Sequence, residues 1–217
     1  MILEIADFLK SIKDSTPIIT FFLGALLAPL VESNKQKLLT NRILKSFKLE
    51  LEDEIFQLDN HIKNVSIATL NLEAMNGEII NAKKGIVKYA PRPIKLHLMK
   101  QVQENAFISI TRNQRTSLKA IAIQLNYIEE IREKLIKLET NQGNLGEILK
   151  LNKKWLYTST CMYYTMKYFL NSKDIKSITE IGDEEAINTT MNLLKINLKY
   201  NDLIVRNSQK ITESPQL

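Results

Sequence analysis

Cysteine occurs once, at Cys161, so the chain has no internal disulfide framework and fits a reducing compartment. Histidine occurs twice, at His61 and His97, with no His-x-x-x-His or Glu-x-x-His spacing. A helical metal site would therefore need ligands gathered from separate helices. Glycine and proline are scarce, at 6 and 5 residues. Neither occurs between Val31 and Asn76 or between Ile94 and Gln142. Stretches that long without breakers exclude a strand-rich fold with its many tight turns and favour long helices. There is no internal repeat, no Gly-rich phosphate loop and no catalytic motif.

The rest is an ordinary globular balance, with 25% charged and 44% apolar residues. The net charge of +6 suits an anionic partner surface without requiring one.

One segment stands apart. Residues 15–31, STPIITFFLGALLAPLV, carry no charge between Asp14 and Glu32. As a helix they would span about 25 Å, at the lower edge of what crosses a hydrocarbon core of about 30 Å. Thr16 before Pro17 reads as a helix start, and Pro29 as a kink in its last turn. Before the run, Ile2, Ile5, Leu9 and Ile12 share a face with Phe8 beside them, the pattern of an interfacial amphipathic helix over 1–14. After it come Lys35, Lys37, Arg42, Lys45 and Lys48, which places the C-terminal side in the cytoplasm. The expectation is a single-pass anchor, N-out and C-in, in a bacterial cytoplasmic membrane. Its anchor residues are Pro17, Phe21, Phe22, Gly24, Ala28 and Pro29, with Gly24 and Ala28 a small-xxx-small pair for helix association. The competing readings are a helix buried in the core of a soluble protein and a cleaved signal peptide. The second is opposed by an acidic n-region and the lack of a clean cleavage site.

Beyond the run, apolar residues step by three and four. Leu44, Leu51, Ile55, Leu58, Ile62, Val65 and Leu72 form a seam that Lys48 and Thr69 interrupt. The spacing predicts a stalk helix over 32–76, about 60 Å long. A basic connector follows over 77–93, then a helical bundle over 94–206 and a disordered tail over 207–217. Within the bundle, a helix is expected from Ile94 to Ile110. The next starts at a Thr111–Gln114 capping box with Leu118, Ile121, Leu125, Ile128, Leu135 and Leu138 as its seam. Asn144 opens another, with a seam through Asn152, Leu156, Ser159, Tyr163 and Met166. Asp183, Glu184 and Glu185 open the last, whose seam runs from Ile187 to Val205. The fold class is all-α: an elongated, antiparallel cytoplasmic bundle on a membrane-proximal stalk.

Lys83, Lys84, Lys88, Arg92 and Lys95 of the connector are the candidate contact for an anionic partner. On a straight stalk they lie too far from the bilayer for lipid. An acidic protein or RNA would fit, nucleic acid less well because no recognised signature accompanies them. Glu50, Asp53 and Glu54 read as a solvated face with local ion pairs. Cys161 reads as a buried thiol, and the aromatics from Trp155 to Phe169 as packing or a partner surface. No cofactor is implied. The layout is similar to that of small bacterial single-anchor proteins, some encoded beside toxins or phage-defence genes, without a shared motif. These features lead to a membrane-anchored, non-enzymatic protein whose bundle binds a protein partner or itself. The alternative is an effector that perturbs the bilayer when it oligomerises.

Overall fold

A computed structural model describes residues 2–76, 89–140, 144–172 and 175–204, with side chains described from Gly24 onward except at 139 and 140. It is all-helical: α1 (Ile2–Asn76), α2 (Met99–Asn105), α3 (Arg112–Thr140), α4 (Leu145–Leu170), α5 (Ile178–Leu193) and α6 (Tyr200–Leu203), with no strand among the described residues. The connector from 77 to 88 and the tail from 207 lie outside the described residues.

α1 is one helix of 75 residues, about 110 Å long at 1.5 Å per residue. It runs through Thr16 and Pro17, so these are not a helix start, and 1–14 is not a separate helix. From Gly24 to Leu39 every α1 residue is exposed. Leu26 is 70% exposed, and Leu27, Leu30 and Val31 are exposed beside it. Residues 24–31 therefore add nothing to the core of the described residues.

The same helix continues unbroken through 32–76. From Ile43 onward α1 is part of the bundle, and its seam closes within the chain. Leu51, Ile55, Leu58, Ile62, Val65 and Leu72 are all buried. The two interruptions also disappear. Phe47, one residue before exposed Lys48, takes the seam position, giving steps of three and four through Leu44, Phe47 and Leu51. Thr69 is buried, with its hydroxyl donating to the Val65 carbonyl at 2.7 Å.

α4 is the hub, packing against α1, α3, α5 and α6. It runs antiparallel to α1: Phe169 meets Phe47 edge-on with ring centres 5.5 Å apart, and Lys153 pairs with Glu73 at 2.5 Å at the other end. Surrounded on most sides, α4 is buried almost continuously from Trp155 to Phe169. Its hydroxyl-rich sequence fits that position. Small side chains let neighbouring helices approach, and each hydroxyl is satisfied by its own helix. Thr158 donates to the Lys154 carbonyl at 3.1 Å, Thr160 to Leu156 at 2.7 Å and Thr165 to Cys161 at 2.8 Å.

The helix expected from Ile94 to Ile110 is a strap instead. Residues 89–98 have no regular structure and return along α1 towards its N-terminal half. Tyr89 meets His61, His97 meets Glu50, and the Asn105 carbonyl accepts from the Thr40 hydroxyl at 3.3 Å. Ile94 and Leu96 are buried while Lys95 and His97 are exposed, the alternation of an extended segment. Pro91 and Pro93 keep it extended. Glu50 is not a solvated carboxylate: it accepts from the backbone N–H of His97 at 2.6 Å and of Leu98 at 3.0 Å, anchoring the start of α2. Only seven residues then form α2.

The Thr111–Gln114 capping box opens α3 as expected. The Gln114 N–H donates to the Thr111 hydroxyl at 3.2 Å, and the Thr111 N–H donates to the Gln114 side chain at 3.1 Å. Asn144 caps α4 by accepting from the Gly146 N–H at 2.8 Å. α5 breaks at Gly182 (φ 79°), so Asp183 to Glu185 do open its longer half. It does not run on to Val205, which lies outside the described residues. The helix stops after Leu193, with Lys195 left-handed at φ 57°. Ile196 N–H donates to the Met191 carbonyl at 2.9 Å and Lys195 N–H to Asn192 at 3.1 Å, a Schellman closure made without glycine.

Candidate functional site: the α1 arm, the strap and the α2–α3 loop

The anchor candidates divide at residue 24. The side chains of Pro17, Phe21 and Phe22 lie outside those described. Gly24, Ala28 and Pro29 are exposed, on an arm whose described side chains are all exposed as far as Leu39. A Cβ built on Gly24 would meet nothing within 4 Å. Among the described residues no helix is long and apolar enough to cross a membrane, and the run 15–31 enters that description only from Gly24.

The basic cluster divides likewise. Lys83, Lys84 and Lys88 lie outside the described residues. Arg92 and Lys95 are exposed on the strap, on either side of buried Ile94. They flank a small polar site. His61 Nδ1 and the Tyr89 hydroxyl are 2.6 Å apart, and burial, then the Arg92 guanidinium, hold the His61 pKa below its ordinary value. Nearby, burial lifts the Glu54 carboxyl, the Lys95 backbone hydrogen bond pulls it back, and Glu50 and Asp53 add to the lift.

A neutral folded-state His61 has a definite pH consequence. The unfolded chain takes up a proton near about pH 6.5, while the folded chain resists it. Stability should fall as pH drops below that value towards the lowered folded pKa. In His61→Gln this part of the slope should vanish. Urea midpoints of both proteins between about pH 7 and pH 5 check it, and parallel slopes would mean that His61 titrates freely.

Between α2 and α3 lies a feature that the sequence analysis passed over. Residues 106–111 form a tight loop stapled by Arg115. Its Nη1 donates to the Ile110 carbonyl at 2.9 Å and to Phe107 at 3.4 Å, and its guanidinium stacks over the Phe107 ring at 5.7 Å. Lys119 approaches the same ring at 5.8 Å. Ile108 projects from this loop, 92% exposed. The signal was legible in principle: an apolar residue between a short amphipathic segment and a capping box has no helix face to join.

Elsewhere the chemistry is structural. Cys161 is 3% exposed, and burial pushes its thiol up to about 12, so it supplies no thiolate at neutral pH. Tyr157 donates to Asp183, and Tyr164 donates to the Lys176 carbonyl at 3.0 Å, which turns two of the aromatics against α5 and the segment before it. A groove of about 550 Å³ opens between α3, α4 and α6, lined by Ile123, Tyr127, Tyr157, Tyr200, Leu203 and Ile204. Among the described residues no three His, Cys, Asp or Glu side chains converge on a metal-sized space. Comparison of the chain with protein-family models, with characterised proteins and with solved structures finds no match, so its function is argued from its own geometry.

Proposed function

We propose that the protein is a membrane-anchored interaction protein without catalytic activity, N-out and C-in in a bacterial cytoplasmic membrane, whose helical bundle binds a protein partner. The observation that carries this reading is the arm: a continuous helix that leaves the bundle with Leu26, Leu27, Leu30 and Val31 exposed. Uncovered apolar surface of that extent needs a lipid or protein environment. The five cations that follow, without an acid between Ser33 and Leu49, favour a cytoplasmic C-terminal side. The groove beside Ile123 and Tyr127 is the partner surface we assign on the bundle.

The effector reading rests on the amphipathic pattern of residues 1–14 and on the short, small-residue anchor, with open space around Gly24 through which two anchors could approach closely. The seam from Leu51 to Leu72 is occupied within the chain, so that assembly would use the anchor.

The full-length protein should remain with membranes after carbonate and high-salt washing. A chain lacking residues 1–31 should be soluble and helical, because the described part of that segment, 24–31, is exposed and the bundle begins at Ile43. A C-terminal reporter active only in the cytoplasm should work. Full-length protein soluble without detergent would defeat the anchor.

A further inference from the structure

The α2–α3 loop holds an isoleucine where a polar tip would cost nothing. Arg115 bonds the carbonyls of Phe107 and Ile110 on either side of it, so the loop cannot easily fold Ile108 inward. The loop also sits at a particular end of the bundle. The Thr40 hydroxyl donates to the Asn105 carbonyl, which puts the loop near the root of the arm. Thr40 is nine residues past Val31, about 14 Å along the helix. The headgroup layer accounts for roughly 5–8 Å of that distance. Tilts of about 20° are ordinary for anchored helices, and a tilt towards α2 brings the loop, with the Ile108 side chain projecting from it, nearer the headgroups. Charge agrees: Lys35, Lys37, Arg42, Lys45 and Lys48 stand on this end of α1, and exposed Arg112 follows the loop. At the end of α2, Glu104 already faces Lys100 at 3.7 Å.

We propose that this end of the bundle is a second membrane contact, resting on the anchored reading above. Ile108 seats in the interface of the leaflet that α1 leaves, while Arg112 and the lysines of α1 face anionic headgroups. The bundle then lies against the membrane and does not swing free on its arm. An apolar tip with Arg112 after it and Lys45 and Lys48 beside Ser109 and Ile110 fits an anionic lipid surface better than a nucleic acid, which offers no apolar layer.

The test uses full-length protein with Cys161→Ser and one new cysteine, at Ile108, Gly24 or Met75, carrying an environment-sensitive fluorophore. Met75 is exposed at the far end of the bundle and controls for the dye's own affinity for lipid. The probes are vesicles of phosphatidylcholine, with or without phosphatidylglycerol. The Gly24 label should emit from an apolar environment in both. The Ile108 label should show a several-fold rise with a blue shift only when phosphatidylglycerol is present, lost in high salt and weakened by Arg112→Glu. The Met75 label should stay in water. An Ile108 label in water in both vesicles, with Gly24 inserted, overturns the second contact and leaves the anchor standing. A Gly24 label in water overturns both. Equal shifts at Ile108 and Met75 would mean that the dye alone drives insertion, and would also overturn the proposal.

Discussion

Phe47→Ala should cost the bundle about 3–5 kcal/mol, while Phe56→Ala, nine residues along the same helix, should change stability by less than about 0.5 kcal/mol. Phe47 is 0% exposed and closes the α1–α4 contact edge-on against Phe169. Truncation removes a ring and leaves a cavity between two helices whose backbones are held apart by neighbouring seam residues, so collapse cannot fill it. Phe56 is 72% exposed and loses little when shortened. Urea unfolding of the chain lacking residues 1–31 measures both. For a domain of this size the Phe47 variant should melt about 10 °C lower. Similar effects from the two substitutions would mean that the buried face of α1 is rotated from the one described.

Asn152→Leu should raise stability by about 1–3 kcal/mol, a gain where most core substitutions lose. Asn152 is 0% exposed in the middle of the α4 seam. Neither its amide nitrogen nor its oxygen has a hydrogen-bond partner among the described residues. Both groups gave up water on folding, and leucine of similar volume removes that penalty while adding apolar contact. Asn152→Asp should be strongly destabilising, because it buries a charge at the same place. The measurement is again the urea midpoint. A loss of stability in Asn152→Leu would show that the amide is satisfied in solution, by an ordered water.

The seams of α1, α3 and α4 were legible because burial on a helix recurs every three or four residues, whatever covers the face. The same rule, applied too strictly, hid Phe47: stepping by whole turns from Leu44 landed on Lys48 and recorded a gap. Thr69 and the hydroxyls of α4 looked polar in sequence, yet each bonds a carbonyl of its own helix, which no spacing rule reveals. The strap was misread although Ile94, Leu96 and Leu98 alternate with Lys95 and His97. That is a period of two, and it was assigned to a helix for want of a breaker after Pro93. Glu50 could not be placed from sequence, since its amide partners lie 47 and 48 residues away. The Schellman closure at Lys195 lacked the glycine that usually announces one. Of the candidate site, the exposed half of the arm and the exposed cations Arg92 and Lys95 were legible. The exposure of Ile108 was legible in principle, but its place near the root of the arm was not, because that depends on where the strap carries it.

The order of the helices also sets a schedule for synthesis. Phe47 finds its cover in Phe169, 122 residues later in the chain. At elongation rates of roughly 5–20 residues per second, the buried face of α1 waits about 6–24 s for α4 to leave the ribosome. During that interval the longest described helix displays the part of its hydrophobic strip that the strap does not cover. Safe biogenesis therefore depends on keeping that strip from other apolar surfaces for those seconds, before the chain supplies its own cover.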